Sequence, residues 1–186
     1  LPDSVTSIGT QAFAMTSLTN IAWHNKITSI GNHAFYRCTN LVRLTIPSGM
    51  TNIGTQTFDD CRGLTTVTIP ASVRGIGFMA FANSRSLTGV YFCGDVPVPQ
   101  QDVFLGDTNV TVYYLPGTSG WGATLGGRPA VLWNPTAQAP GVQSSGQFGF
   151  DIVGSTNIPI AVEASADGAA PRRSEEASAG PEFEPV

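Results

Sequence analysis

Four copies of a six-residue phrase constrain this chain more than any other feature of its sequence. Each copy begins with Ile-Gly and ends with Phe, and the isoleucines lie 22, 23 and 23 residues apart. A fixed period of this length is typical of a solenoid, in which one unit cannot bury its own apolar face and has to stack on its neighbours. The copies are Ile8–Phe13, Ile30–Phe35, Ile53–Phe58 and Ile76–Phe81.

The unit over residues 53–74 shows how each part of a repeat is expected to fold. Gly54 predicts a tight corner or a positive φ, both of which a β-branched residue resists. Phe58 and Cys61 follow in a compact turn, and Pro70 ends the next strand because proline lacks an N–H for the ladder. Stacking of the units predicts three apolar columns: Phe13, Phe35, Phe58, Phe81; Leu18, Leu41, Leu64, Leu87; and Ile21, Leu44, Val67, Val90. The first unit is one residue shorter between its Phe and its Leu, which predicts a local irregularity there.

These residues resemble the BspA-like leucine-rich repeats, whose unit runs approximately as Ile-Pro-x-Ser-Val-Thr-x-Ile-Gly-x-x-Ala-Phe-x-x-Cys-x-x-Leu-x-x-Ile. The resemblance covers about residues 1–94, and its departures include Ser84 at the Cys position and Arg74-Gly75 in place of Thr-x. It implies a mainly β, right-handed solenoid of about four units. It also implies a secreted or cell-surface protein that binds other macromolecules.

The remaining segments are assigned by composition and alternation. Residues 95–135 are expected to form a β-rich C-terminal cap, with strands over 110–115 and 129–133 and a hairpin turn at Gly126-Gly127. Residues 136–147 are interpreted as a linker, 148–164 as a β-hairpin that begins a truncated β module, and 165–186 as a disordered tail. Leu1–Val5 aligns with Ile69–Val73, so the chain is expected to begin inside a unit.

Charge narrows the function classes. Charged residues are 12% of the chain, against about 25% in an average globular protein. Residues 1–94 hold six basic and three acidic side chains (+3), whereas 95–186 hold three basic and ten acidic (−7), which sums to the net charge of −4. This is far from the dense basic footprint of a nucleic-acid binder. No apolar stretch is long enough to span a membrane.

The three cysteines leave alternatives open. Cys38 and Cys61 fall in one repeat column with Ser84, which favours packing as small buried side chains. A Cys38–Cys61 disulfide is the second interpretation, because stacked coils would bring the two residues within disulfide range. A metal site is the weakest, since zinc usually needs four close ligands.

No constellation of catalytic residues is evident. His24 and His33 are expected to face solvent without a Ser, Cys or carboxylate partner, and Asp59-Asp60 is interpreted as a solvated corner. Gly126-Gly127-Arg128 lacks the Lys-Ser/Thr ending of a phosphate loop. We therefore expect a protein that is not an enzyme and has no cofactor and no metal.

The exposed strand positions carry the functional hypothesis. Alternation predicts a flat, Thr-rich lattice with candidate partner-binding residues Arg43, Thr45, Thr66, Thr68, Arg74 and Tyr91. Tyr and Arg are common at binding hot spots, although Thr also simply suits an exposed β surface. We expect a monomer that acts as an adhesion or protein–protein interaction module toward an extracellular or host-surface protein. The alternatives are a structural spacer that carries another domain, and a carbohydrate-holding accessory module, for which a set of three strand-facing aromatic residues is lacking.

Overall fold

The computed structural model describes the backbone of residues 1–134, 136–142 and 148–153, and the side chains of residues 1–134. The chain divides into two compact units, Leu1–Asn134 and Pro135–Val186. The first unit is a solenoid of about five turns, built from short strands and turns. Its strands are β1 (Ser7–Ile8), β2 (Ser29–Ile30), β3 (Arg43–Thr45), β4 (Asn52–Ile53), β5 (Thr66–Ile69), β6 (Gly75–Ile76), β7 (Gly89–Phe92), β8 (Val98–Pro99), β9 (Thr111–Tyr114), β10 (Thr124–Leu125) and β11 (Arg128–Leu132).

The largest sheet, which we call the main sheet, has the strand order β10-β11-β9-β7-β5-β3. Its strands β3, β5, β7, β9 and β11 are parallel and come from successive turns of the solenoid. The register aligns Leu44, Val67, Val90 and Val112 in one row, and all four side chains are buried. The column of Leu44, Val67 and Val90 thus continues into Val112, because each turn repeats the same alternation of buried and outward side chains.

A second set of short strands follows the Ile-Gly phrases. Strands β1 and β2 pair in parallel, and β4, β6 and β8 form a three-stranded parallel sheet. The isoleucine that ends β1, β2, β4 and β6 is buried in every copy. These strands therefore form a second face of the same core. We call the sheet of β4, β6 and β8 the narrow sheet.

The phenylalanine column is confirmed. Rings in neighbouring turns stack with centroids 5.3 Å apart for Phe13 and Phe35, 5.4 Å for Phe35 and Phe58, and 5.5 Å for Phe58 and Phe81. The column continues beyond the four copies of the phrase, since Phe104 stacks on Phe81 at 6.0 Å. Strands β8 and β9 pair with β6 and β7 in the same way. The repeat geometry thus extends past residue 94 into the segment that was expected to depart from it.

Each phenylalanine lies in a compact turn that also contains residues in the left-handed backbone conformation. Non-glycine residues two positions before and two positions after the rings have φ values between 51° and 59°. Their N–H groups donate to carbonyls of the next turn, as from Gln56 to Phe78 at 2.9 Å and from Asp60 to Ala82 at 2.8 Å. This inter-turn ladder offsets the cost of the left-handed conformation, which is about 1–3 kcal/mol for a non-glycine residue. The residues are Gln11, Met15, His33, Arg37, Gln56, Asp60, Met79, Asn83 and Asp102.

The glycines of the Ile-Gly phrases serve close approach instead of positive φ. None of the four has a positive φ, so that expectation is wrong, whereas the tight corner is confirmed. A Cβ added to Gly77 would lie 2.7 Å from the carbonyl carbon of Gly54 in the preceding turn. Neighbouring turns therefore stack backbone on backbone at this corner, with no room for a side chain.

The cysteine column packs as buried single side chains. Cys38 and Cys61 are free thiols with no exposed surface, and Cys93 is a free thiol at the surface. The Sγ atoms of Cys38 and Cys61 donate to the carbonyls of Phe13 and Phe35, at 3.1 and 3.2 Å. No disulfide joins them in the structure. Burial raises the pKa of the Cys61 thiol, with the neighbouring Cys38 adding to the rise.

The last turns combine a hairpin with an aromatic cluster. Gly126 and Gly127 have φ values of 55° and 75° and connect β10 to β11, as expected for this hairpin turn. The strands expected over 110–115 and 129–133 correspond to β9 and β11. Trp121 stacks on Tyr114 at 4.8 Å and contacts Phe92 edge-on at 5.1 Å. Phe92 and Tyr114 are neighbours in the register of β7 and β9, so Trp121 covers the ends of these two strands.

The second unit contains a pair of strands. Strand β12 (Thr136–Val142) pairs antiparallel with β13 (Phe148–Val153), so residues 136–142, which were expected to belong to a linker, lie in a strand. The register shifts between Gln138 and Gly141, which places Pro140 at a bulge, where its missing N–H breaks no regular ladder bond. The hairpin partner of 148–153 therefore precedes it in the chain. The second strand expected near 158–162 and the tail over 165–186 lie outside the described residues.

The described residues contain no helix that could span a bilayer. They also hold no group of three or more His, Cys, Asp or Glu side chains arranged to hold a metal ion.

Candidate interaction surface

Four of the six candidate residues lie together on the outward side of the main sheet. In the register, Arg43 lies beside Thr66 and Thr45 beside Thr68. Arg43 and Thr45 are exposed, while Thr66 and Thr68 are half-buried. The outward side chains therefore form two short rows across neighbouring turns, and we call these four residues the threonine face.

Tyr91 joins this face by register but not as an exposed residue. It lies beside Thr68, yet only 8% of its surface is accessible. Its ring leans over Gly89, since a Cβ added there would lie 2.5 Å from Tyr91 Oη. It also stacks on Tyr113 at 5.0 Å and meets Trp133 edge-on at 6.3 Å. The expectation that Tyr91 is exposed is therefore wrong. Gly89 has no side chain, so the Tyr91 ring lies over it, and Tyr113 and Trp133 cover the ring.

Burial also changes the acid–base behaviour of this tyrosine. Desolvation raises the pKa of the Tyr91 phenol, and the neighbouring Tyr113 raises it further. The phenol is therefore neutral at physiological pH and adds no charge to the surface. The three rings Tyr91, Tyr113 and Trp133 form what we call the aromatic row.

Arg74 is not part of the threonine face. It precedes β6 and belongs to the narrow sheet, where its carbonyl accepts the N–H of Val98 at 2.8 Å and its N–H donates to Thr51 at 2.7 Å. The sequence places Arg74 on a second strand of the unit and predicts that the two strands lie side by side, whereas in the structure they belong to different sheets. The expected single lattice is therefore divided between two faces.

Arg43 is the cation of the threonine face. Within residues 1–134, its guanidinium makes no ion pair, since the pairs found there join Lys26 to Asp3 and link Arg37 and Arg62 to Asp60. An unpaired, exposed arginine keeps its five donors available for a partner. The face is therefore weakly basic, polar and flat.

The first turn leaves the edge of the main sheet uncovered by a strand. The residues that align with β3, near Ile21, form no strand in the described structure. Instead, the indole Nε1 of Trp23 donates to the carbonyl of Thr45 at 2.6 Å. This agrees with the irregularity expected from the shortened first unit, and it makes β3, which carries Arg43 and Thr45 of the threonine face, the edge strand of the main sheet.

The acidic corner is buried, not solvated as expected. Asp59 and Asp60 are 4% and 8% exposed. Asp60 accepts hydrogen bonds from Arg37 at 2.9 Å and Arg62 at 2.6 Å. Burial alone would raise the pKa of Asp60, but the hydrogen bonds and charges of the two arginines outweigh it and lower the pKa. The left-handed turn places Asp60 where its carboxylate is buried, and a buried carboxylate needs charged partners.

The two histidines make structural contacts. His33 Nε2 lies 3.0 Å from Gln56 Oε1, and His24 Nε2 lies 2.8 Å from the carbonyl of Pro2. Both residues are half-buried instead of facing solvent. They bridge neighbouring turns rather than converging on a shared cleft.

Sequence reasoning missed Tyr113 and Trp133 as parts of the outward surface. The signal was present for Tyr113, because 110–115 was expected to be a strand and alternation places Val112 inward and Tyr113 outward. It was overlooked because the repeat was taken to end at residue 94. Trp133 follows β11, and its approach to Tyr91 depends on the pairing of β11 with β9.

The repeat region matches the family described as "BspA type Leucine rich repeat region (6 copies)" over residues 1–111. The chain belongs to this family of BspA-type leucine-rich repeats. The resemblance seen in the sequence is thereby confirmed, and it extends further along the chain than residue 94. No curated protein gives a significant match.

Solved leucine-rich repeat structures resemble this chain to different extents, and the first of the following shares its fold. The crystal structure of the T. pallidum leucine-rich repeat protein is 26% identical, with a TM-score of 0.54, covering 60% of this chain and 54% of that one. A leucine-rich repeat protein from Bacteroides ovatus is 18% identical, with a TM-score of 0.43 and coverage of 61% and 42%. A leucine-rich cell surface protein from Faecalibacterium prausnitzii is 24% identical, with a TM-score of 0.34 and coverage of 63% and 47%. The chain thus spans about half the length of these proteins.

Proposed function

We propose that this BspA-type repeat region is a non-enzymatic interaction module of a secreted or cell-surface protein, and that it binds an extracellular protein through the threonine face. The observation that carries the proposal is the placement of Arg43, Thr45, Thr66 and Thr68 on one outward side of a parallel sheet. Membership of the leucine-rich repeat family suggests a protein-interaction module.

Rigid display explains how such a face would bind. Each turn is fixed by stacked rings and by inter-turn hydrogen bonds, so the backbone that carries the outward side chains is ordered before a partner arrives. Association then costs less conformational entropy than binding by a flexible loop. Arg43 supplies the charge-assisted hydrogen bonds, and the threonines supply many weaker contacts.

The test is direct binding of the full chain to a panel of purified extracellular-matrix and host-surface proteins, measured by biolayer interferometry. Arg43→Glu reverses the charge of the threonine face, and Thr68→Arg places a bulky side chain on it. Arg74→Glu makes the same charge change on the narrow sheet and serves as the matched control. We expect the two face variants to lose at least tenfold in affinity and the control to keep the affinity of the original chain. Equal losses in Arg43→Glu and Arg74→Glu would contradict a site on the threonine face.

A carbohydrate-holding role is the second candidate, because the structure brings three aromatic side chains together in the aromatic row. Tyr113 and Trp133 are half-exposed beside Tyr91, and aromatic rings give sugars an apolar surface on which to stack. A glycan array with the original chain and a Trp133→Ala variant separates the two candidates. Glycan binding that depends on Trp133 and survives Arg43→Glu would favour the carbohydrate role.

A further inference from the structure

A column of small hydrogen-bond donors runs beside the phenylalanine column, three residues after each ring. Its members in three successive turns are Cys38, Cys61 and Ser84, and all are fully buried. Each donates its side-chain hydrogen to the carbonyl of the phenylalanine one turn earlier: Cys38 to Phe13 at 3.1 Å, Cys61 to Phe35 at 3.2 Å and Ser84 to Phe58 at 3.1 Å. One donor per turn therefore ties each coil to the one before it.

Asp107 is the next member of this column. It follows Phe104 by three residues, and its N–H donates to the Phe104 carbonyl at 3.1 Å, as the N–H of Cys38 does to Phe35 at 3.1 Å. By the same repeat, its side chain corresponds to a donor toward the carbonyl of Phe81. A carboxylate can only accept hydrogen bonds, whereas a neutral carboxyl group has one O–H to donate. Asp107 can therefore repeat the contact of Cys and Ser only when it holds a proton.

The surroundings of Asp107 favour that proton. The residue is 1% exposed, and neither carboxyl oxygen has a hydrogen-bond partner within residues 1–134. Burial raises the pKa of Asp107 to about 7; the charge of Arg128 opposes the rise, that of Asp59 adds to it and that of Arg85 opposes it. The burial of Asp107 and the lack of partners for its oxygens within residues 1–134 favour the neutral form, which is also the form that its position in the column requires.

Arg128 is the group that an ionised Asp107 would face. It lies at the start of β11, and its Nη2 donates to the Phe104 carbonyl at 3.2 Å. Its Nε is buried and has no hydrogen-bond partner within residues 1–134. The last turn thus holds a buried carboxyl group and a buried guanidinium nitrogen whose hydrogen-bonding capacity is unused.

We propose that Asp107 forms a proton-dependent hydrogen bond between the turn that contains Phe104 and the preceding turn. Its neutral carboxyl group donates to the carbonyl of Phe81 and holds the turn of Phe104 against the turn before it. Its ionised form gives up that bond and turns its charge toward Arg128. Acidification therefore tightens the end of the solenoid that carries β9 and β11, and a rise through neutral pH loosens it.

The sign of the effect follows from proton linkage. Because the folded state binds the proton of Asp107 more tightly than the unfolded state, the contribution of Asp107 to stability is largest in acid and is lost as pH rises from about 4 toward 7. Over that range, the folding equilibrium constant is expected to fall by up to about tenfold per pH unit from this group.

The test is urea unfolding of the full chain from pH 4.5 to 8.5, followed by tryptophan fluorescence. Asp107→Ser copies Ser84, and Asp107→Asn supplies an N–H donor that does not titrate. Asp95→Asn is the matched control, because Asp95 accepts the N–H of Ser119 at 2.8 Å and its pKa is lowered, outside the tested range. All other titratable groups are shared, so a difference in slope isolates Asp107.

We expect the loss of stability with rising pH to be reduced in both Asp107 variants and unchanged in Asp95→Asn. An Asp107→Ser variant with the same slope as the original chain would overturn the proposal. A carboxyl carbon-13 NMR titration of the unmodified chain decides the matter even if a variant fails to fold. A titration midpoint of Asp107 near neutral pH that rises further in Arg128→Met supports the proposed hydrogen bond, and a midpoint near 4 refutes it.

Discussion

Replacing Phe58 with alanine removes a ring that is fully buried and stacked on both sides. Its centroid lies 5.4 Å from that of Phe35 and 5.5 Å from that of Phe81. A buried Phe→Ala change costs about 3–5 kcal/mol, part transfer and part cavity, and each lost ring pair contributes about 0.5–1.5 kcal/mol. Because two pairs are lost in a site that the stacked backbone prevents from collapsing, we expect a loss of about 4–5 kcal/mol in the free energy of unfolding.

Phe13 gives the matched comparison within the same column. It is half-buried and stacks on one ring only, that of Phe35 at 5.3 Å. The same truncation there removes less buried area and one pair, so we expect a loss of about 1–2 kcal/mol. In a repeat protein, stability is approximately a sum over neighbouring units, so an interior position has two interfaces to lose and a terminal position has one.

The assay is urea unfolding monitored by circular dichroism and tryptophan fluorescence at constant pH, with Phe58→Leu as a third variant. Phe58→Leu keeps an apolar side chain and should recover more than half of the loss. A cost for Phe58→Ala that equals the cost for Phe13→Ala would refute the stacked column, because it would mean that the two rings have equivalent surroundings.

Three further predictions follow from individual contacts. Gly77→Ala should cost about 1–3 kcal/mol, since its Cβ would lie 2.7 Å from backbone atoms of the neighbouring turn, whereas Gly9→Ala, with nothing within 4 Å, should be near neutral in the same urea titration. Asp60→Asn should cost roughly 2 kcal/mol at pH 7; because the folded pKa of Asp60 is lowered from 3.8, that difference should vanish as the pH falls below 4, and a constant difference would contradict the ion pairs. A thiol reagent should label Cys93 in the native chain and reach the two buried thiols only after unfolding, as mass spectrometry would show.

Much of the solenoid could be predicted because its determinants repeat within one period. The Phe, Leu and Ile/Leu/Val columns are readable from spacing, and the register of Leu44, Val67 and Val90 follows once the turns are stacked. The conformation of the turn could not be read in the same way. The sequence suggests glycine as the residue that makes the corner possible, yet the positive φ falls on residues such as Gln56 and Asp60, where hydrogen bonds to the next turn offset the strain.

The surface was harder to predict than the core because outward residues depend on neighbours that are distant in sequence. Tyr91 alternates correctly outward, but its burial is decided by Gly89 in its own strand and by Tyr113 and Trp133 on later strands. Asp60 looked exposed because charged residues in turns usually are, and its pairing with Arg37 becomes visible only when adjacent turns are superposed.

The second unit shows a different limit. Residues 136–142 contain Pro and Gly and lack large apolar side chains, which is the composition of a linker. Strand pairing is nevertheless possible because it rests on backbone hydrogen bonds and on a partner, and β propensity depends strongly on that context. The partner, β13, was recognised from its alternation, but its own partner was expected later in the chain, within 148–164, and not before it.

Backbone amide hydrogen exchange over residues 1–134 tests most directly whether successive turns stack into one solenoid. The turns around Phe35 and Phe58 would exchange rapidly if they were ordinary surface loops. In the stacked arrangement, the N–H of Phe35 donates to Thr57 at 3.0 Å and that of Phe58 to Ala80 at 2.9 Å, so both should be protected nearly as strongly as the strand amide of Val67. Exchange of these two turn amides within seconds at neutral pH, beside a protected Val67, would contradict the stacked solenoid.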